Sequence, residues 1–141
     1  MTELTAYHEL CAYTLTYRDP AFIHQHVVDA FAAQKADEET KPIALTFALV
    51  GLYLHAERQF TGREVQRAHQ NLARKRRAWP RFVLPESRGG MTAIDVMAKP
   101  ASGERDEAIH AWAADVWTAF RSDAVETVSE LCEELPQFGG A

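Results

Sequence analysis

Apolar side chains recur along this chain at intervals of three and four residues, and they never alternate with polar ones over a useful length. That spacing predicts helices, not strands. A first helix is expected over about residues 3–17, with Leu4, Tyr7, Cys11 and Leu15 on one face. A second should open with Asp19 as N-cap and Pro20 in the first helical position, the favoured pairing there, and end near Gln34. A third, over about residues 42–59, is apolar almost all round, which predicts a central buried helix. Thr61-x-x-Glu64 is a capping box, and it opens a fourth helix running to about residue 77. An irregular stretch follows with Pro80, Pro85, Gly89, Gly90 and Pro100, interrupted by a short helix that Thr92-x-x-Asp95 would open. The last helix spans about residues 102–135, and a tail at about 137–141 should be loose. The expected architecture is an all-α, single-domain helical bundle of four to five main helices, mostly up-and-down, with a long irregular connection before the last helix.

Composition narrows the class without naming a function. With 141 residues, 47% of them hydrophobic, the chain can take roughly 70% of its unfolded surface out of water, so a core needs neither disulfides nor a metal. The longest apolar run, Ile43 to Leu54, is too short to span a membrane, and nothing resembles a signal peptide. A cytoplasmic location is therefore expected. Cys11 and Cys132 stand far apart in the chain with no Cys-x-x-Cys pair, which excludes zinc ribbons and thioredoxin-like motifs. Such thiols are expected to be buried, small apolar groups.

Charge is unevenly spread. Between Arg58 and Arg88 stand nine Lys or Arg and two Glu, a balance of +7, whereas the remainder carries −12 of the net −5. A basic stripe with Arg67, Arg74, Lys75, Arg76 and Arg77, followed by Trp79 and Phe82, has the ingredients of an anion or nucleic-acid patch. The acidic remainder argues instead for a solvated helix face complementing its own neighbours.

The histidines carry the sharpest chemical signal. His24 and His26 lie one residue apart on the second helix, where a spacing of two diverges by about 200° and cannot easily serve one ion. The apolar arc set by Ile23, Val27, Val28 and Phe31 includes His24, places His26 to one side and puts Asp29 near the opposite face. His24 is therefore the expected interior ligand. His55 ends a stripe of small residues, Ala44, Ala48 and Gly51, along which a neighbouring helix can come close. His110 sits at the edge of the apolar face of the last helix, and His8 is similarly placed on the first. A bundle can bring imidazoles from separate helices together around a divalent ion such as zinc, nickel or manganese, so His24, His55 and His110 are the candidate ligands. The competing expectation is an ordinary core histidine bonded to a carbonyl or carboxylate. Glu107-x-x-His110 has the spacing of di-iron bundles but occurs once.

Other chemistry is poorly represented. There is no phosphate loop, nucleophile elbow or dinucleotide fingerprint. Arg88–Gly89–Gly90–Met91–Thr92 could seat a small anion but reads better as a turn.

The segment His24-x-x-x-Val28–Asp29–Ala30–Phe31–Ala32–Ala33–Gln34 resembles a bacterial family catalogued as domain of unknown function 5946. The resemblance continues through Gly51–Leu52–Tyr53–Leu54 with Glu57–Arg58, through Gly90–Met91–Thr92-x-x-Asp95–Val96, and through Trp112-x-x-x-Val116–Trp117-x-Ala119–Phe120. It implies a small cytosolic helical domain with no assigned activity. At the level of fold alone the chain is similar to the DinB/YfiT bundles, which hold a divalent metal with three histidines. Two of those come from a His-x-x-x-His, a spacing this chain lacks.

Three functions are open at this point. The favoured one is a non-catalytic binding or interaction module that self-associates, suggested by the aromatic-rich last helix and the split charge. The alternative is a metal-dependent hydrolase or transferase built on bundle histidines. A third is anion or nucleic-acid binding along the Arg-rich helix.

Overall fold

In the computed structural model, which describes residues 1–16, 19–75 and 78–136, the chain is all-helical. Six helices follow one another among the described residues: α1 (Glu3–Thr16), α2 (His24–Gln34), α3 (Pro42–Arg58), α4 (Gly62–Ala73), α5 (Ala93–Met97) and α6 (Gly103–Glu133). Arg76 and Arg77 of the expected basic patch, and the expected tail at 137–141, lie outside the described residues.

The most apolar helix is the central one. α3 packs against α2, α4 and α6, and its Leu49, Val50, Leu52 and Leu54 are fully buried. It begins on Pro42, whose missing N–H costs nothing in the first turn, and ends on Gln59 in the left-handed conformation (φ 56°). α4 opens with the expected capping box: the Thr61 hydroxyl accepts from Glu64 N–H, and the Glu64 carboxylate accepts from Thr61 N–H. It ends at Ala73, short of the expected boundary. Asp95 likewise accepts from Thr92 N–H at the start of α5.

Two expectations are corrected. On α1 the buried stripe is Ala6, Leu10 and Thr14, while Leu4 and Leu15 are 54% and 56% exposed. α1 meets only α2 and α5 over a substantial area, so a narrow seam is enough to hold it. α2 starts at His24, not at Pro20, because Phe22 takes a left-handed conformation (φ 56°) that interrupts any helix begun earlier. The Asp19 carboxylate caps that turn instead, accepting from Ala21 and Ile23 N–H at 2.9 and 3.1 Å.

The turn is docked onto the start of α4. Arg63 N–H donates to Ala21 C=O at 2.8 Å, and a Cβ on Gly62 would stand 1.8 Å from Phe22 O. Only glycine permits that approach. Tyr13 of α1 ties down the first turns of α6, donating its hydroxyl proton to Asp106 Oδ1 at 2.6 Å. Gln34 ends α2 with three bonds, accepting from Trp112 Nε1 and donating to Met91 and Arg88 carbonyls. Arg88 in turn donates to the Gln34 and Ala36 carbonyls, capping the last turn of α2. These ties link α1 and α2 to α6.

Candidate metal centre

His26, His55 and His110 come from three different helices, α2, α3 and α6, and converge. One nitrogen from each lies within 4.8 Å of the other two. His55 Nε2 and His110 Nδ1 are 3.3 Å apart, and the rings of His26 and His55 stack with centroids 3.9 Å apart. Two nitrogens bound to one zinc ion at about 2.0–2.1 Å in tetrahedral geometry are about 3.3 Å apart, so the His55–His110 pair already has the span of a ligand pair. Without an ion the same contact serves as an N–H···N hydrogen bond.

The expectation that placed His24 at the site and His26 beside it is reversed. His24 is half-buried on the α1 side of α2, its Nδ1 2.9 Å from Thr14 Oγ1. His26 is 2% exposed and faces the triad. The apolar arc drawn through Val28 and Phe31 points to α1, where Phe31 stacks on Tyr7 at 4.0 Å. The side of α2 that is buried deepest is built from His26, Val27, Asp29, Ala30 and Ala33. Hydrophobicity underweights such a stripe, because two of its members are polar and two are alanines. The structure thus brings together His55 and His110 of the expected set and replaces His24 by His26. His8 is exposed on α1 and takes no part.

Burial gives the triad its chemical character. It pulls the imidazole of His26 down to about 2, helped by repulsion from His55 and His110. Burial also lowers His55, aided by His110 and opposed by backbone hydrogen bonds at Phe60 and His110. His110 is lowered by burial, against the pull of the Asp106 and Asp19 carboxylates. All three rings are shifted toward the uncharged form, which is the state a metal ligand requires. His26 Nδ1 is buried with no hydrogen-bond partner. An orphaned polar atom in an interior costs about 1–3 kcal/mol, which makes a position where a ligand would complete the site.

The triad lines a pocket of about 390 Å³ whose other walls include Asp19, Ile23, Phe60, Thr61 and Asp106. His110 is the exposed member and His26 the deepest, so the pocket leads from solvent to the buried imidazole.

The carboxylate of Asp115 fills the glycine turn, with Oδ2 accepting from Gly90 and Met91 N–H at 2.7 and 3.0 Å. Arg67 and Arg74 are exposed and Lys75 is half-buried, whereas Trp79 packs edge-on against Phe47 and Phe82 rests on the core. The aromatics that would stack bases are thus used in packing. Burial raises both thiols, Cys132 to about 12, and neither joins the cluster. His69 bonds the Phe47 carbonyl at 2.7 Å, the ordinary fate of a packed histidine.

The chain belongs to a family of unknown function, DUF5946, whose model matches residues 4–121 and so contains all three histidines. No curated protein and no solved structure matches it. Among the described residues no helix is long and apolar enough to cross a membrane.

Proposed function

We propose that this protein binds one divalent transition ion through His26, His55 and His110 and is a metal-dependent enzyme of the hydrolase or transferase kind, acting on a small molecule in the adjoining pocket. The observation that carries the reading is the convergence of three imidazoles from three helices, one with a buried unpartnered nitrogen, in the lining of an open pocket. Three protein ligands leave a coordination position open, as catalytic sites do and closed structural sites do not. An ion there supplies Lewis acidity and acidifies a water ligand, to about pKa 7 in the best zinc case. The chain's own part is to hold the three nitrogens, to admit substrate past His110 and to keep the Asp106 carboxylate at the rim.

The reading displaces the surface module that the sequence favoured. Trp112, Trp117 and Phe120, the aromatics that suggested an interface, are buried within the chain, and Trp117 donates its indole N–H to Glu57. Cobalt titration of protein purified without a histidine tag tests the proposal. Saturation at one equivalent, with the visible bands of a low-symmetry cobalt site, is expected. No absorption change and no gain in thermal stability with cobalt, zinc, nickel or manganese would overturn it.

A further inference from the structure

Two carboxylates reach the same pocket, and neither is a ligand of the triad. Asp106 stands one turn before His110 on α6, and Asp19 lies in the turn that precedes α2. Both line the pocket together with His110. Each is held in place: the Tyr13 hydroxyl donates to Asp106 Oδ1, and backbone N–H groups of Ala21 and Ile23 donate to Asp19. A carboxylate offers about four lone-pair sites and the Tyr13 bond uses one, so Asp106 has capacity for a further donor. Among the described residues no Lys or Arg lines the pocket, and Ile23, Ala21 and Phe60 give it an apolar wall. His26, 2% exposed with Nδ1 unpartnered, stands at its inner end.

An anionic group at the Asp106 end of the pocket would meet two like charges and, among the described residues, no Lys or Arg side chain. A protonated amine would meet the opposite charge at hydrogen-bond range, with three donors to offer. We infer that the pocket takes a small molecule carrying a protonated amine, its ammonium group on Asp106, its short carbon chain along Ile23 and Phe60, and its reacting polar head at the three imidazoles. The ammonium site is a property of Asp106 and the pocket. The placement of the polar head rests on the metal reading above.

The experiment has two arms, so that either claim can fail alone. In the first, calorimetry on the cobalt-loaded protein compares three hydroxamates with the same metal-binding head: β-alanine hydroxamate (cationic), butyrohydroxamate (neutral) and succinic monohydroxamate (anionic). The cationic probe should bind about tenfold tighter than the neutral one and the anionic probe more weakly still. The preference should vanish in Asp106→Asn, which keeps an acceptor for Tyr13, while butyrohydroxamate affinity stays the same. A flat series, an anionic preference, or a cationic preference surviving in Asp106→Asn would overturn the inference. In the second arm, metal-free protein is titrated with butylamine and with butyrate and followed by NMR. Saturable shifts at Asp106 and His110 with butylamine alone support the ammonium site even if cobalt does not bind, and equal or absent responses sink it.

Discussion

His55 Nε2 lies 3.3 Å from His110 Nδ1, although 55 residues separate the two in the chain. The contact exists because α3 and α6 share a long seam and because Tyr13 and Gln34 fix α6 from outside that seam. His26 reaches the pair from a third helix, so the site reports on the mutual placement of α2, α3 and α6 together.

The buried imidazoles make the fold sensitive to acid. His26 is held at about 2 in the folded chain and returns to its ordinary value, near 6.5, when unfolded. The unfolded state therefore binds more protons between those values, and stability falls as pH drops through that window. His26 alone contributes a slope of up to about 1.4 kcal/mol per pH unit, with His55, His69 and His110 acting in the same direction. With the opposing buried carboxyl removed by Asp29→Asn, urea denaturation at pH 7.5 and pH 5.5 should give a lower midpoint at the lower pH. His26→Phe should reduce that difference.

Asp29 acts with the opposite sign. Its carboxyl is fully buried between α2 and α3, and burial lifts it well above the usual carboxylate range, against a stabilising bond from Gln25. Folded, it stays protonated where the unfolded chain has already ionised, so this group lowers stability as pH rises above about 4. Asp29→Asn removes the dependence and keeps an acceptor for Gln25. The variant should gain stability relative to the natural chain between pH 5 and pH 8, measured by thermal unfolding at both values.

Gly51 is the reason Asp29 can sit where it does. A Cβ at position 51 would stand 1.8 Å from Asp29 Oδ2 and 3.1 Å from Val65 Cγ1. Gly51→Ala should cost about 1–3 kcal/mol by overpacking, despite the better helix propensity of alanine. Combined with Asp29→Ala, the same change should cost much less, so a double-mutant cycle will show coupling. Additive effects would mean that the two positions do not press on each other.

The legible part of the site came from residues whose facing agrees with local hydrophobicity. His55 follows Gly51 by one turn on a helix apolar all round, and His110 borders a face marked by Trp112, Trp117 and Phe120. Pro42 and the Thr61–Glu64 box announced α3 and α4 because their chemistry is local. His26 was hidden for a physical reason: its neighbours in the buried stripe are Asp29, Ala30 and Ala33, and burial of polar groups is decided by tertiary partners. Phe31 marked the wrong side, since a large aromatic is equally content against α1. Phe22 set the start of α2 through a left-handed backbone that no propensity predicts for phenylalanine.

The most direct measurement is the cobalt or zinc affinity of His26→Ala beside that of His24→Ala, by competition with a chelator. Loss of at least about 100-fold is predicted for His26→Ala, because a buried ligand is removed, with His24→Ala within about threefold of the natural chain. Unchanged affinity in His26→Ala, or a loss confined to His24→Ala, would contradict the account.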